Sequence, residues 1–185
     1  NNHRSEMVSQ LLYGDCFKVI GKKKEWYHIT TLLDDYTGWI DKKQGQLLSK
    51  KEAVNIGLQS AAYSTRLIDY IETQDNHLTS LVIGSNVSGV SFLNHTYSGP
   101  SVSGKKEKAK LLETASLYLN APYLWGGKTQ MGIDCSGLTQ MVYRINGHFI
   151  PRDSSQQVLL GSTLSFIYES EPGDLAFFDD DEGKI

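Results

Sequence analysis

Hydrophobic and polar positions alternate in short bursts over the first 48 residues. Met7–Leu12, Phe17–Ile20, Trp26–Thr31 and Gly38–Ile40 are rich in β-branched, aromatic and aliphatic residues. Gly14-Asp15, Gly21-Lys22 and Asp34-Asp35 punctuate them. Runs this short and this close predict the strands of a small barrel. The basic run Lys22-Lys23-Lys24 falls at a turn and reads as a solvated hairpin tip. A less regular stretch follows over residues 49–103. Leu67–Glu72, His77–Ile83 and Val90–Leu93 read as strands, and Glu52–Ser60 as a helical turn or a loop. Tyr97–Gly104 reads as a Ser/Gly-rich linker.

After that linker the period changes. Lys105–Asn120 holds good helix formers with Ala109, Leu112, Ala115 and Leu119 along one side, widened by Leu111 and Leu117. Asn120-Ala121-Pro122 ends this helix, because proline disfavours helical geometry in the residue before it. A second helix begins near Cys135. Its Leu138, Met141, Val142 and Ile145 follow the helical spacing, and Asn146-Gly147 stops it. Leu175–Phe178 reads as a strand. Asp179–Ile185 reads as a hairpin turn whose second strand is just starting, so the chain is expected to be cut short at both ends. Strands followed by helices and a further strand predict an α+β fold.

Composition narrows the classes. With 185 residues the chain suits one ordinary domain or a few small ones, and 39% apolar with 21% charged residues is enough to build a core. A net charge of −3 excludes a broad nucleic-acid surface. No apolar run approaches the length that spans a bilayer, so no membrane partner is expected. The polar start, Asn1–Glu6, is not a signal peptide. Two distant cysteines form no C-x-x-C pair, and no Cys/His cluster has metal spacing. No metal or cofactor is expected.

Cys135 lies at the predicted start of the second helix. Free N–H groups and the positive end of the helix dipole gather there and favour an anion. A thiol so placed loses its proton more readily and becomes a stronger nucleophile. The same N–H groups can stabilise a developing oxyanion. Gly126, Gly127, Gly132 and Gly137 leave room for a substrate to approach the backbone. The competing reading of Cys135 is a buried small hydrophobe. Cys16, beside Phe17 in an alternating run, is expected to be structural.

The segments Tyr123-Leu124-Trp125-Gly126-Gly127, Asp134-Cys135-Ser136-Gly137, Pro151-Arg152-Asp153-Ser154 and Pro172-Gly173-Asp174-Leu175 come in the order seen in the NlpC (P-sixty) family. Residues 105–185 thus resemble these papain-like cysteine peptidases, which act on bacterial cell-wall peptides. Leu11–Asp15, Trp26 and Tyr36–Ile40 resemble a bacterial SH3-like domain. The layout is similar to that of the γ-D-glutamyl-L-diamino acid endopeptidases. The resemblance implies an α+β protein with a papain-like catalytic domain, its helix-borne Cys packed on an antiparallel sheet, preceded by small SH3-like β-barrel domains. The implied domains are 1–48 and 49–103, both SH3-like, and 104–185, a peptidase domain truncated at its C-terminal end.

The resemblance also implies roles. Cys135 would attack the carbonyl of a γ-D-glutamyl–L-diamino acid bond (Lys or diaminopimelate), giving an acyl-enzyme that water hydrolyses. Asp134 would pair with the free ammonium of an N-terminal L-Ala; its other reading is an N-cap of the Cys135 helix. Ser154, in preference to Ser155, would accept a hydrogen bond from that amine, and Ser136 would line its pocket. Tyr36 would reach the amine from the first unit, or else pack inside the barrel. Trp125 would wall the cleft, or else pack in the core. Glu6 and Asp15 are further acids that could face the amine. A buried ammonium needs charged acceptors, and a glycan-linked stem peptide offers no ammonium, its L-Ala nitrogen being acylated. The implied substrate is therefore a free murein peptide met in recycling. The implied protein is a monomer in the cytoplasm, or in the cell envelope if a signal segment was removed.

The chain departs from the family pattern in its base. The family carries a catalytic histidine on the strand after the Gly-Asp-Leu motif, and none of His3, His28, His77, His95 and His148 matches it. His148 would stand about 20 Å from Cys135 along one helix. The base is expected past Ile185. Two alternatives remain: a non-catalytic wall-peptide binder, and a related cysteine–histidine amidase that cuts the sugar–peptide bond.

Overall fold

The computed structural model describes residues 5–179, 181–183 and 185. The expectations for His3 and for Asp180 and Lys184 of the closing turn lie outside the described residues. Strands β1 (Phe17–Lys23), β2 (Trp26–Thr31) and β3 (Thr37–Asp41) form one antiparallel sheet in that order. In β2, Tyr27 and Ile29 are buried and alternate with Trp26, His28 and Thr30 on the other face. The β1–β2 register shifts between Val19 and Gly21, a bulge that leaves Ile20 half exposed.

The expected strand at Met7–Leu12 does not form, and among the described residues the sheet does not close into a barrel. The polar groups of this segment are engaged elsewhere. The Gln10 side chain accepts from the Lys128 N–H at 2.8 Å, and the Leu12 N–H donates to the Asp15 carboxylate at 2.9 Å. The segment is thus drawn onto the later half of the chain.

In the second stretch, α1 (Lys50–Gly57) starts at a reciprocal Ser49–Glu52 capping box. Strand β4 (Ala62–Ser64) pairs with β7 (Ser101–Ser103), and β5 (Ile68–Glu72) with β6 (Leu78–Val82). The expected linker over Tyr97–Gly104 therefore contains a strand, recruited by a partner distant in sequence. Val90–Leu93 is a 3-10 turn and not a strand; it ends at Asn94 in the left-handed region with φ 54°.

In the third stretch, α2 (Ala109–Ser116) is shorter than its pattern and turned from the expected face. Leu111, Thr114 and Tyr118 are buried, while Leu112, Leu117 and Leu119 are exposed. Two apolar stripes compete on this helix. The winning one includes Thr114, whose hydroxyl donates to the Lys110 carbonyl and accepts from the Asn146 amide at 2.8 Å. Short strands β8 (Lys128–Thr129) and β9 (Gly132–Ile133) lead into α3 (Cys135–Ile145), followed by α4 (Ser154–Gln157). Leu175–Phe178 forms no strand.

The main core unites all three stretches: Leu12, Ile83, Leu111, Tyr118, Ile133, Met141, Val142 and Ile145. A smaller cluster of Ile71, Leu81 and Val87 belongs to the second. Charges are buried where the first stretch meets α3. Arg144 pairs with Asp15 and lies over the Tyr63 ring, 4.9 Å from its centre. Asp15 therefore does not face the amine pocket considered for it.

Lys128 is buried in the same region. Burial drives its ammonium from 10.5 down to about 8. Below pH 8 the folded and unfolded chains both hold this proton, and the folded state bears the full desolvation cost. Above pH 8 the unfolded chain holds more protons, so stability rises with pH until the unfolded lysine also titrates. Lys128→Met is expected to stabilise the protein at pH 7 by about 1–3 kcal/mol and to abolish that alkaline rise. Urea melts of both proteins at neutral and alkaline pH check it.

Candidate active site

Residues 122–134 build the approach to α3. Gly126 has φ +77°, and a Cβ there would lie 2.5 Å from the Met7 carbonyl oxygen. A Cβ on Gly137 would lie 2.3 Å from the Gly127 carbonyl oxygen. These glycines admit the chain's own backbone and not a substrate, which corrects the expectation for them.

Cys135 is the first residue of α3 and its side chain is exposed. Asp134 is the N-cap, its Oδ1 accepting from the Gly137 N–H at 2.7 Å. Such a cap is worth about 1 kcal/mol. Its Oδ2 accepts from the Gly126 N–H at 2.8 Å. Both oxygens also face the guanidinium of Arg152, at 3.0 and 2.6 Å. Burial opposes the ionised form of Asp134, but the hydrogen bonds from Arg152, Gly137 and Gly126 hold its carboxyl below the ordinary value.

Arg152 is 2% exposed, and it also donates to the Ser136 and Ser9 hydroxyls. Gln157 of α4 fixes the turn that carries Arg152: its amide donates to the Ser136 and Pro151 carbonyls at 3.0 and 2.8 Å.

A pocket of about 320 Å³ opens over Cys135. Tyr36, Trp125, Asp134, Ser136 and Ser154 line it with Cys135, and Ser155 lies beside Ser154. The other lining residues are Val8, Arg152, Asp153 and Ile185. Trp125 is 59% exposed, and its indole N–H donates to Glu6 at 2.8 Å. It is a wall and not a core residue. Tyr36 reaches the pocket from the β2–β3 turn, where its N–H donates to the Thr31 hydroxyl at 2.9 Å. Burial raises its phenol above the ordinary value, and the neighbouring Asp153 carboxylate adds to the rise.

None of the four described histidines lines this pocket. His28 stacks on Trp39, His95 meets the Tyr13 hydroxyl at 2.8 Å, and His148 contacts the Lys106 carbonyl at 3.3 Å. His77 sits at a turn, its N–H donating to the Thr73 hydroxyl at 3.2 Å. Cys16 is half-buried just before β1, and burial pushes its thiol up.

Sequence reasoning quoted Arg152 and Asp153 only as parts of a motif and gave neither a role. The available signal was a charge pair directly after the apolar run Phe149-Ile150-Pro151. An arginine drawn toward the interior there needs a carboxylate partner.

Residues 120–185 match the NlpC/P60 family, and residues 1–44 match the bacterial dipeptidyl-peptidase Sh3 domain. The chain carries an NlpC/P60 domain behind a bacterial SH3 domain. An NlpC/P60 family protein from Bacillus cereus ATCC 10987, of known crystal structure, shares its fold with a TM-score of 0.78 at 22% identity. The match covers 95% of this chain and 67% of that one. The expected class, a papain-like α+β domain after an SH3-like unit, is thereby recovered.

Among curated relatives, the γ-D-glutamyl-L-lysine dipeptidyl-peptidase of Bacillus subtilis (strain 168) is 28% identical over 95% of this chain and 65% of its own length. Dipeptidyl-peptidase 6 of Lysinibacillus sphaericus is 28% identical over 94% of this chain and 74% of its own length. The chain therefore spans about two thirds to three quarters of these two relatives.

Proposed function

We propose that the full-length protein is a monomeric cysteine endopeptidase that cleaves the γ-D-glutamyl–L-diamino acid bond of free murein peptides with an N-terminal L-Ala. The carrying observation is an exposed cysteine on the first turn of α3, opening into a pocket whose facing wall comes from the SH3 unit. The name of the Bacillus subtilis relative supports this substrate class and favours lysine as the diamino acid, and that of Dipeptidyl-peptidase 6 supports a peptidase. The three-unit division at 1–48, 49–103 and 104–185 belongs to the same reading.

The Cys135 thiolate attacks the γ-carbonyl carbon, and the α3 N-terminal N–H groups receive the oxyanion. Collapse of the adduct expels the diamino acid, whose amine takes up the proton that the thiol gave to a base. Water then releases the L-Ala-γ-D-Glu product from the sulfur. None of His28, His77, His95 and His148 lines the pocket to serve as that base.

At the other end of the pocket, Asp153, Tyr36 and Ser154 receive the L-Ala ammonium. The Asp134 carboxylate is already shared with Arg152, so Asp153 is the freer acid. Glu6 holds the Trp125 wall in place. A preference for free peptides fits murein recycling in the cytoplasm.

The test is the amine. N-acetylation of L-Ala-γ-D-Glu-L-Lys is expected to lower kcat/KM about 100-fold, because the charged acceptor in the pocket loses its ammonium partner. Equal turnover of both peptides would defeat the amine-pocket reading. Tight binding of the free peptide without cleavage would return the protein to the wall-peptide binder class.

A further inference from the structure

We infer that Arg152 is a positioning residue that grips both neighbours of the nucleophile, cancels the carboxylate beside it and ties it to the SH3 unit. This rests on the cysteine-peptidase reading above. Four short contacts leave one buried guanidinium. Nη2 meets Asp134 Oδ2 at 2.6 Å and Nη1 meets Oδ1 at 3.0 Å. Nη1 also donates to Ser136 Oγ at 2.8 Å, and Nε to Ser9 Oγ at 3.0 Å. Asp134 and Ser136 flank Cys135, and Ser9 follows Val8, which lines the same pocket. A planar fork can hold such a set, whereas a lysine ammonium cannot.

The electrostatic need is specific. An acidic N-cap steadies the helix but places a negative charge next to the thiol that must ionise, and a like charge disfavours the thiolate. Arg152 offsets that charge and leaves the field of the helix N-terminus to act on the sulfur. The other ionisable groups facing the pocket are Asp153 and Tyr36, with Glu6 behind Trp125. Val8, Ser154, Ser155 and Ile185 bring no ionisable side chain.

The experiment is the pH profile of iodoacetamide alkylation of Cys135 in the full-length protein, with peptide mass spectrometry separating it from Cys16. Arg152→Gln is expected to raise the midpoint by about one pH unit, about tenfold less thiolate at neutral pH. Asp134→Asn, which leaves Arg152 unopposed, is expected to lower it. The double variant is expected to return near the parent. Arg152→Lys keeps the charge and loses the fork, so its midpoint stays near the parent while kcat falls.

A residue that only supports the fold would move none of these midpoints, and an unmoved midpoint in folded Arg152→Gln overturns the proposal. If that variant does not fold, Asp134→Asn decides: a lowered midpoint supports the proposal and an unchanged one overturns it. Alkylation reads the thiol whether or not peptide is turned over. A failed peptidase reading would show instead as no cleavage by the parent protein or as full turnover in a Cys135 variant.

Discussion

Replacing Cys135 with alanine is expected to lower cleavage of L-Ala-γ-D-Glu-diamino acid peptides by at least about a thousandfold in the full-length protein, because covalent catalysis has no substitute nucleophile in the pocket. Ser136 and Ser154 lie close by, but Ser136 accepts from Arg152 and is tied to the Asp134 carboxylate. Cys16 is half-buried, and burial holds its thiol protonated. The alanine variant should fold normally, since the exposed sulfur fills no core space. It should still bind the free peptide, and calorimetric titration would show that. Retained turnover would remove Cys135 from the chemistry.

The largest stability effect is expected at Asp15. Asp15→Ala leaves Arg144 with its charge buried and uncompensated, a loss of about 3–5 kcal/mol in denaturant melts. Burial works to raise the Asp15 carboxyl, but the charge and hydrogen bond of Arg144 prevail and hold it below the ordinary value. The sign follows from that depression. The contribution is fully present above the unfolded aspartate value of about 3.9 and fades as pH falls through the lower folded value. In Asp15→Ala this acid-limb loss should vanish. Adding Arg144→Met to Asp15→Ala should recover much of the stability, because removing both charges costs far less than stranding one. A loss under about 1 kcal/mol in the single variant would mean that water reaches Arg144.

Much of the local structure was readable in the chain. The helical spacing of Leu138, Met141, Val142 and Ile145 placed α3, and its residues Met141, Val142 and Ile145 are indeed buried. The strand over Trp26–Thr31 was read with its bounds intact. Failures came where long-range partners decide. Met7–Leu12 has the composition of a strand, yet its polar groups bond to Lys128 and Asp15. Ser101–Ser103 has the composition of a linker, yet it pairs with β4. On α2, the side read from Ala109, Leu112, Ala115 and Leu119 is largely exposed, and the buried side carries Thr114, which bonds the Asn146 amide just past α3.

The site divides the same way. Cys135, Asp134, Trp125, Tyr36 and Ser154 were named from motifs, and all line one pocket. Arg152 carried only a faint local signal, the charge pair after Phe149-Ile150-Pro151, because its partners Ser9, Asp134 and Ser136 are scattered along the chain.

The way the front of the chain is joined to its back limits modular reuse. Leu12 and Ile83 share a core with α2 and α3, while Asp15 and Ser9 each answer an arginine from the later half of the chain. A cassette exchange that kept residues 104–185 and swapped the leading module would strand the Arg144 guanidinium, cost Arg152 its Ser9 contact and strip apolar cover from the helices. Lineages that shuffle such modules must therefore move these partners together, and a chimera designed without them should be insoluble or inert.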